Sequence, residues 1–150
     1  MTDREYPNRP IVGLGAVAWG PEGVLMIKRG KPPRAGAWSL PGGEQNISEN
    51  IKEGLSREVK EETGLENVKL IKKLGIKERE SYRKDEWKTI HYFLFETKDN
   101  KELQKVKDGK EVLIPRWHEL DNLPKLFWQE QIDLIKENIE SIKTYDNSCT

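Results

Sequence analysis

The sequence contains a single cysteine, Cys149, and this scarcity excludes two classes of small protein. A disulfide framework and a zinc site made of cysteine ligands both need several cysteines. No apolar run approaches the ~20 residues that a membrane-spanning helix requires, so no membrane partner is expected. The first ten residues, MTDREYPNRP, carry no apolar signal core, which predicts a cytoplasmic location.

An excess of charge of either sign is also missing, because 26 Lys and Arg residues balance 26 Asp and Glu residues. A general nucleic-acid binder would need surplus positive charge to displace counterions, so we expect no nucleic acid polymer as a partner. The 150 residues suit a single domain spanning residues 1–150, with loose termini at residues 1–10 and 143–150.

The pattern of apolar and turn residues predicts strands interrupted by two helices. Apolar segments bounded by glycine and proline predict strands at 11–19, 24–29, 68–78, 87–96 and 111–117, and a short extended piece at 38–40. Helical spacing predicts helices at 48–63, with Ser48 as N-cap, and at 126–142, whereas 99–110 is predicted to be a polar loop. Hairpins and one strand-helix-strand passage indicate an α/β fold, a mixed β-sheet with helices on both faces.

Residues 41–65, PGGEQNISENIKEGLSREVKEETGL, concentrate acidic side chains between two glycine turns. On a helical wheel Ile51, Leu55 and Val59 form the stripe that should face the core. Glu58 and Glu62 fall in the same sector, with Glu61 at its margin and Glu49 on the far side. The wheel therefore predicts two carboxylates, one turn apart, on the inward face of the helix.

Such a pair is costly, because each carboxylate loses hydration and like charges repel. Arg57 points away on the wheel, and one arginine cannot balance three acids. A hard divalent cation can, and oxygen ligands favour Mg²⁺ or Mn²⁺ over zinc. The alternative is a charged helix whose glutamates lie in solvent beside lysines. The fixed spacing of glycines and acids around the helix favours the metal site.

The spacing G-x5-E-x7-R-E-U-x-E-E-x-G-U, where U is aliphatic, is the signature of the Nudix hydrolases, and this chain resembles it at every fixed position. Those positions are Gly43, Glu49, Arg57, Glu58, Val59, Glu61, Glu62, Gly64 and Leu65. The preceding RGKPPRAGAWSLPGG is similar to the approach segment of ADP-ribose pyrophosphatases in that family. The chain departs from the common pattern at 46–48 and at Gly54. These departures affect the loop before the helix and the packing of the helix, not the implied metal ligands.

The resemblance implies an α/β/α sandwich and roles for particular residues. The implied metal ligands are Glu58, Glu62, Glu61 and the carbonyl of Gly42, holding Mg²⁺ with Mn²⁺ as a substitute. The implied catalytic set is Glu61, Arg57, Glu49 and Glu111. In it Arg57 and Glu49 orient the ligand glutamates, and Glu111 is the candidate general base. For Glu49 the alternative is a favourable charge at the helix start, and for Glu111 an exposed strand-start residue.

Cationic and aromatic residues ahead of the glycine turn are candidates for substrate contacts. Arg29 ends a strand that leads into the site and is the first candidate for a phosphate contact, followed by Lys28, Lys31 and Arg34. Among the aromatic residues Trp38 is the best placed to stack on a base, a contact worth ~1–3 kcal/mol, followed by Trp87, Tyr82 and Trp117. For each of them the alternative is a solvated charge or a core aromatic residue. His91 is predicted to be a core or rim histidine.

The predicted reaction is Mg²⁺-dependent hydrolysis of the pyrophosphate bond of a nucleoside diphosphate joined to a sugar, with ADP-ribose giving AMP and ribose 5-phosphate. The alternatives are hydrolysis of oxidised nucleoside triphosphates and of dinucleoside polyphosphates, which would use the same metal helix. A sensor that binds nucleotide sugars without cutting them is disfavoured, because every ligand position is filled. ADP-ribose-cleaving relatives are often homodimers, so the resemblance also raises a homodimer as an expectation.

Overall fold

The computed structural model describes residues 11–46, 48–80, 86–99, 102–109 and 111–144. The predictions made for residues 1–10, Tyr82 and Cys149 lie outside these ranges. Within the described ranges, no helix is both long enough and apolar enough to cross a membrane.

Eight strands and three helices are formed by the described residues. In chain order they are β1 Ile11–Gly20, β2 Gly23–Arg29, β3 Trp38–Ser39, β4 Gly42–Glu44, α1 Ile51–Thr63, β5 Lys69–Glu80, β6 Trp87–Glu96, β7 Val106–Asp108, β8 Glu111–His118, α2 Gln129–Glu137 and α3 Ile139–Thr144. The strands predicted at 11–19, 24–29, 87–96 and 111–117 match four of these within about one residue at each end.

The strands form one mixed sheet in the order β5-β6-β1-β2-β8-β7. β1 and β6 pair in parallel over nine residues, whereas the other pairs are antiparallel. β1 and β2 pair only near their connecting turn, at Trp19–Val24 and Gly20–Gly23. Closer to its start β1 pairs instead with β4, where Leu14 lies opposite Gly43. This switch of partner brings the predicted glycine turn into the centre of the sheet.

The core consists of two clusters, one on each face of the sheet, and the alternation along β6 separates them. Ile90, Tyr92 and Leu94 face the cluster that includes Leu134 and Ile135 of α2. Phe93 and Phe95 face the cluster that includes Leu55 and Val59 of α1. Successive side chains of a strand point to opposite faces, so a strand apolar on both faces requires a cover on each. The predicted α/β fold with helices on both faces of a mixed sheet is confirmed.

The start of α1 differs from the prediction. The N-cap is Asn50 rather than Ser48, because the Asn50 side chain accepts from Glu53 N–H at 2.8 Å and the Glu53 carboxylate accepts from Asn50 N–H at 3.0 Å. This reciprocal capping box satisfies the N–H groups of both Asn50 and Glu53, whereas Ser48 has Ile51, not an acidic residue, three positions later. Ile51 consequently lies in the first turn and is 37% exposed, contrary to the predicted core stripe. Gly64 ends the helix in the left-handed conformation that is usual for a glycine at this position.

Three further elements depart from expectation. The stretch predicted as a polar loop contains β7, which pairs with the start of β8 through a turn at Gly109. The predicted helix at 126–142 is two helices, α2 and α3, and the break is at Asn138, whose side chain donates to the Leu134 carbonyl at 2.8 Å. Residues 143–144, predicted to be loose, complete α3.

Candidate active site

The Gly42–Gly43 turn and α1 form the centre of the candidate site. The Gly42 N–H donates to Glu62 Oε1 at 2.8 Å. A Cβ atom on Gly42 would overlap the Leu14 carbonyl, and one on Gly43 would overlap the Glu58 carboxylate. Gly42 therefore lets two backbone segments approach closely, whereas Gly43 leaves room for the Glu58 carboxylate. The structure brings Glu58 and Glu62, one helical turn apart, against the same turn.

Arg57 reaches three of the acidic side chains, whereas the wheel predicted that it points away. Its Nε and Nη2 donate to the two carboxylate oxygens of Glu49 at 2.6 and 3.0 Å. Its Nη1 donates to Glu58 at 2.8 Å and to Glu61 at 3.1 Å. The prediction was wrong because a long, flexible side chain can reach beyond the direction of its own Cα–Cβ bond.

The same contacts define the position of Glu49. It precedes α1, so a helical wheel does not apply to it, and its carboxylate also accepts from the Asn46 N–H at 3.1 Å. The hydrogen bond from Arg57 is the main cause that lowers the pKa of Glu49 below its ordinary value. The bond to Glu49 is likewise the main cause that raises the pKa of Arg57. Glu49 therefore stays ionised and anchors the guanidinium.

The side chains of α1 fit a hard divalent cation in their donor chemistry. All the candidate donors are oxygens, and one guanidinium cannot balance the carboxylates of Glu49, Glu58, Glu61 and Glu62. Among the described residues no three acidic or histidine side chains already converge as a metal-binding group. In this arrangement Arg57 and the Gly42 N–H hold individual carboxylate oxygens, so convergence on an ion would require small side-chain movements.

A cleft of about 250 Å³ opens beside the glycine turn, and Glu62 contributes to its wall. Four cationic residues also line it, namely Arg29, Arg34, Arg79 and Lys88. A larger and more open hollow of about 1410 Å³ lies around the β1–β2 turn and contains none of the α1 glutamates. The smaller cleft is the one that joins the acidic cluster to basic side chains.

The predicted substrate contacts divide into two groups. Arg29 and Arg34 line the cleft together with Glu111, and Arg29 Nη1 donates to Glu111 Oε2 at 2.6 Å. Lys28 and Trp38 are not among the lining residues; the Lys28 ammonium lies 5.8 Å from the centre of the Trp38 ring. Lys28 and Arg29 are neighbours in β2 and point to opposite faces, so only one of them can line the cleft.

The remaining aromatic and histidine candidates lie elsewhere. Trp87 is 47% exposed, and Trp117 packs against the core cluster beneath α1. His91 is held by Lys73, whose ammonium lies 2.7 Å from Nδ1, and burial together with Lys73 lowers the pKa of His91. His118 packs edge-on against Trp38, and burial lowers its pKa.

Sequence reasoning missed a group at the cleft: Arg79, Tyr92 and Trp128 line it, and Glu130 binds Arg79 and Tyr92. The Arg79 guanidinium lies 3.7 Å from the centre of the Trp128 ring and donates to Glu130 at 2.7 Å. The Tyr92 hydroxyl donates to the same Glu130 oxygen at 3.2 Å. Burial and then Glu130 raise the pKa of Tyr92, so the hydroxyl keeps its proton at neutral pH. The partners lie far apart in sequence, and no local pattern could have joined them.

Comparison with known proteins shows which proteins this chain is similar to. The model of the NUDIX domain matches residues 9–137. An ADP-ribose pyrophosphatase from Methanocaldococcus jannaschii is 30% identical over 122 residues, 81% of this chain and 69% of that protein. A putative 8-oxo-dGTP diphosphatase 2 from Mycobacterium tuberculosis is 46% identical over 57 residues, 37% of this chain and 40% of that protein.

A solved structure extends the likeness to the fold. The MutT NUDIX hydrolase from Burkholderia pseudomallei is 25% identical and superposes with a TM-score of 0.68, covering 87% of this chain and 98% of that one. The family match spans most of the sequence and includes the glycine turn, α1 and the cleft. The chain therefore belongs to the Nudix hydrolase family.

Proposed function

We propose that this chain hydrolyses the pyrophosphate bond of ADP-ribose and releases AMP and ribose 5-phosphate. One observation carries the proposal: Glu58 and Glu62 face a single glycine turn beside a cleft lined by Arg29, Arg34 and Lys88. The paired acids suit a cation, and the basic wall suits the charge of a diphosphate.

The choice of ADP-ribose is supported by the relative of that activity, whose match spans 81% of this chain. Hydrolysis of an oxidised nucleoside triphosphate is the second candidate. It is supported by a relative with higher identity, but that match spans only 37% of this chain. The α1 glutamates would serve both reactions, so the substrate depends on the walls of the cleft rather than on the helix.

Nudix hydrolases use divalent metal ions. We propose Mg²⁺ for this chain, with Mn²⁺ as a substitute, held by Glu58 and Glu62 and completed by Glu61 and the Gly42 carbonyl. When bound, such an ion neutralises phosphate charge and makes a water molecule more acidic. Arg57 and Glu49 orient Glu58 through their hydrogen bonds.

The chain's own residues account for the other requirements of hydrolysis. Water adds to one phosphorus, the bond from that phosphorus to the bridging oxygen breaks, and two phosphate monoesters leave. Glu111 lines the cleft and is the proposed acceptor of the water proton. Arg29, which also donates from Nε to the Pro33 carbonyl at 2.8 Å, holds the Glu111 carboxylate in the cleft. Arg34 and Lys88 are the proposed contacts of the diphosphate.

Glu58→Gln and Glu62→Gln test the proposed roles of the helix. Glutamine keeps the volume and, at position 62, the acceptor for the Gly42 N–H, so the fold should persist while the charge is lost. We expect kcat for ADP-ribose to fall about 10²–10³-fold, the rate equivalent of losing ~3–4 kcal/mol of metal-dependent stabilisation. Glu66→Gln is the matched control, because Glu66 pairs with Lys60 on the surface. Turnover within a few-fold of wild type in both site variants would refute the metal-site assignment.

A substrate panel tests the choice of ADP-ribose. The wild-type protein is given ADP-ribose, 8-oxo-dGTP and a diadenosine polyphosphate with Mg²⁺, and kcat/KM is compared. Release of AMP from ADP-ribose should be the fastest reaction. Faster release of pyrophosphate from the triphosphate would replace the first candidate with the second. The homodimer stays a prediction, which light scattering of the purified protein can test.

A further inference from the structure

One part of the cleft wall carries a layered pair of planar side chains, Arg79 and Trp128. The Arg79 guanidinium lies 3.7 Å from the centre of the Trp128 ring, which is the separation of a stacked contact. Arg79 is the penultimate residue of β5, and Trp128 caps the start of α2. Both residues line the cleft, so the layer is part of its surface.

One carboxylate, that of Glu130, sets the orientation of Arg79, and the Tyr92 hydroxyl binds the same carboxylate oxygen. Arg79 Nη1 and the Tyr92 hydroxyl both donate to Glu130 Oε2, at 2.7 and 3.2 Å. The side chains of Arg79 and Glu130 are only 18% and 13% exposed. The Tyr92 ring lies directly against Gly15, where a Cβ atom would overlap it. The guanidinium is thus fixed between the Trp128 ring and the Glu130 carboxylate in a largely buried network.

The charge of Arg79 is already balanced by Glu130, which makes it a poor candidate for binding a phosphate. Lys88, another cation of the cleft wall, has no recorded ion-pair partner in the described part of the chain. A neutralised guanidinium stacked on an indole offers instead a flat, polarisable surface. Planar groups with π-electrons, such as nucleobases, stack on arginine and aromatic side chains of this kind.

We infer that the Arg79–Trp128 layer is the surface on which the nucleobase of the substrate stacks, with Glu130 and Tyr92 as positioning residues that hold Arg79 flat. This inference rests on the proposed function, because it assigns the base of the nucleotide to a wall of the same cleft. The phosphates then extend toward Lys88 and Glu62, and the layer distinguishes nucleotides from sugar phosphates without a base.

AMP and ribose 5-phosphate form the decisive pair of ligands, since they share the ribose and the 5′-phosphate and differ by the base. Binding is measured by calorimetry in the presence of Mg²⁺. The wild-type protein should bind AMP more tightly than ribose 5-phosphate. Trp128→Leu should weaken AMP binding roughly 5- to 150-fold, the equivalent of one base stack, and leave ribose 5-phosphate binding unchanged. Trp128→Phe should restore most of the AMP affinity.

Arg79→Lys separates stacking from phosphate binding. Lysine keeps the positive charge and an ion pair with Glu130 but lacks the plane, so AMP binding should weaken and ribose 5-phosphate binding should not. Glu130→Gln should lower AMP affinity by a smaller factor, because Arg79 loses its anchor. Trp87→Leu is the matched control, since Trp87 is 47% exposed and does not line the cleft. It should leave both affinities unchanged.

Three results would overturn the inference: equal wild-type affinity for AMP and ribose 5-phosphate, equal weakening of both ligands in Trp128→Leu, or unchanged AMP binding in both Trp128→Leu and Arg79→Lys. Thermal unfolding of each variant shows whether the fold persists, and Trp128→Phe provides the test if Trp128→Leu does not fold. Neither ligand is turned over, so these outcomes are independent of ADP-ribose hydrolysis. The binding experiments can therefore refute the stacking surface while ADP-ribose hydrolysis is confirmed, and the hydrolysis assay can fail while the stacking surface is confirmed.

Discussion

Gly43→Ala should disable the active site while leaving the fold intact. The backbone of Gly43 does not adopt a positive φ, so alanine fits its conformation. The added Cβ atom would overlap the carboxylate of Glu58, the far end of a flexible side chain. Glu58 can therefore rotate away from the glycine turn, and the backbone need not move. The substitution should therefore move one carboxylate while leaving the stability of the protein nearly unchanged.

The expected magnitude follows from the displacement. The Glu58 oxygen must withdraw by roughly 1.5 Å to restore ordinary van der Waals contact with the new carbon. A misplacement of about 1 Å in a catalytic arrangement costs ~10²-fold in rate. Alanine also restricts the unfolded chain, which stabilises by ~0.4–1 kcal/mol and offsets a weakened contact between Arg57 and Glu58. We therefore expect kcat/KM to fall about 100-fold and Tm to stay within ~2–4 °C of wild type.

The assay is ADP-ribose hydrolysis across a titration of Mg²⁺, combined with thermal unfolding. Gly42→Ala is the matched control, because its Cβ atom would overlap the backbone carbonyl of Leu14, which cannot rotate away. That variant should lose ~1–3 kcal/mol of stability and unfold several degrees lower. A Gly43→Ala protein that folds normally and keeps wild-type kcat/KM at low Mg²⁺ would show that Glu58 need not stand where the structure places it.

Three further substitutions test other contacts of the structure. Arg57→Lys cannot hold several carboxylates at once, so apparent Mg²⁺ affinity or activity should fall about 10–100-fold, and unchanged metal titrations would contradict this. Asn50→Ala removes the capping box and should cost ~1 kcal/mol, a fall in Tm of roughly 2–4 °C, with kcat unchanged. Burial lowers the pKa of His118 below 6.5, so the unfolded chain takes up the proton first as the pH falls. Stability should therefore decrease between about pH 7.5 and 5.5, and a His118→Gln protein should lose less Tm over that range.

Local periodicity explains what could be predicted from the sequence. Glu58 and Glu62 stand four residues apart, and any helix over that stretch places them one above the other. The strand at 87–96 was bounded correctly, because its apolar residues occupy both faces and leave no alternative register. Within α1 the first turn was misplaced, because Ser48 and Asn50 are both good caps and only Asn50 has Glu53 three residues later.

Contacts between distant segments could not be predicted in the same way. Arg79 and Trp128 meet because β5 and α2 lie on the same side of the cleft. The sequence of neither segment predicts this contact. Trp38 was preferred as a stacking residue because it is close to the glycine turn in sequence. In the structure Trp38 belongs to β3, lies opposite Lys28 of β2 and packs edge-on against His118. Proximity along a strand does not determine which wall of a cleft a side chain joins.

Arg57 shows that the ion pairs of α1 depend on the length of a side chain as well as on its direction on the helical wheel. The wheel placed it away from the acids, whereas its guanidinium spans Glu49, Glu58 and Glu61. One positive charge shared by three carboxylates cannot neutralise them, and Glu62 adds a fourth negative charge at the glycine turn. The charge of the site therefore still favours the proposed divalent cation. Arg57 does not replace that cation; by binding one oxygen of Glu58 it determines which way the carboxylate faces, and hence where the ion would be held.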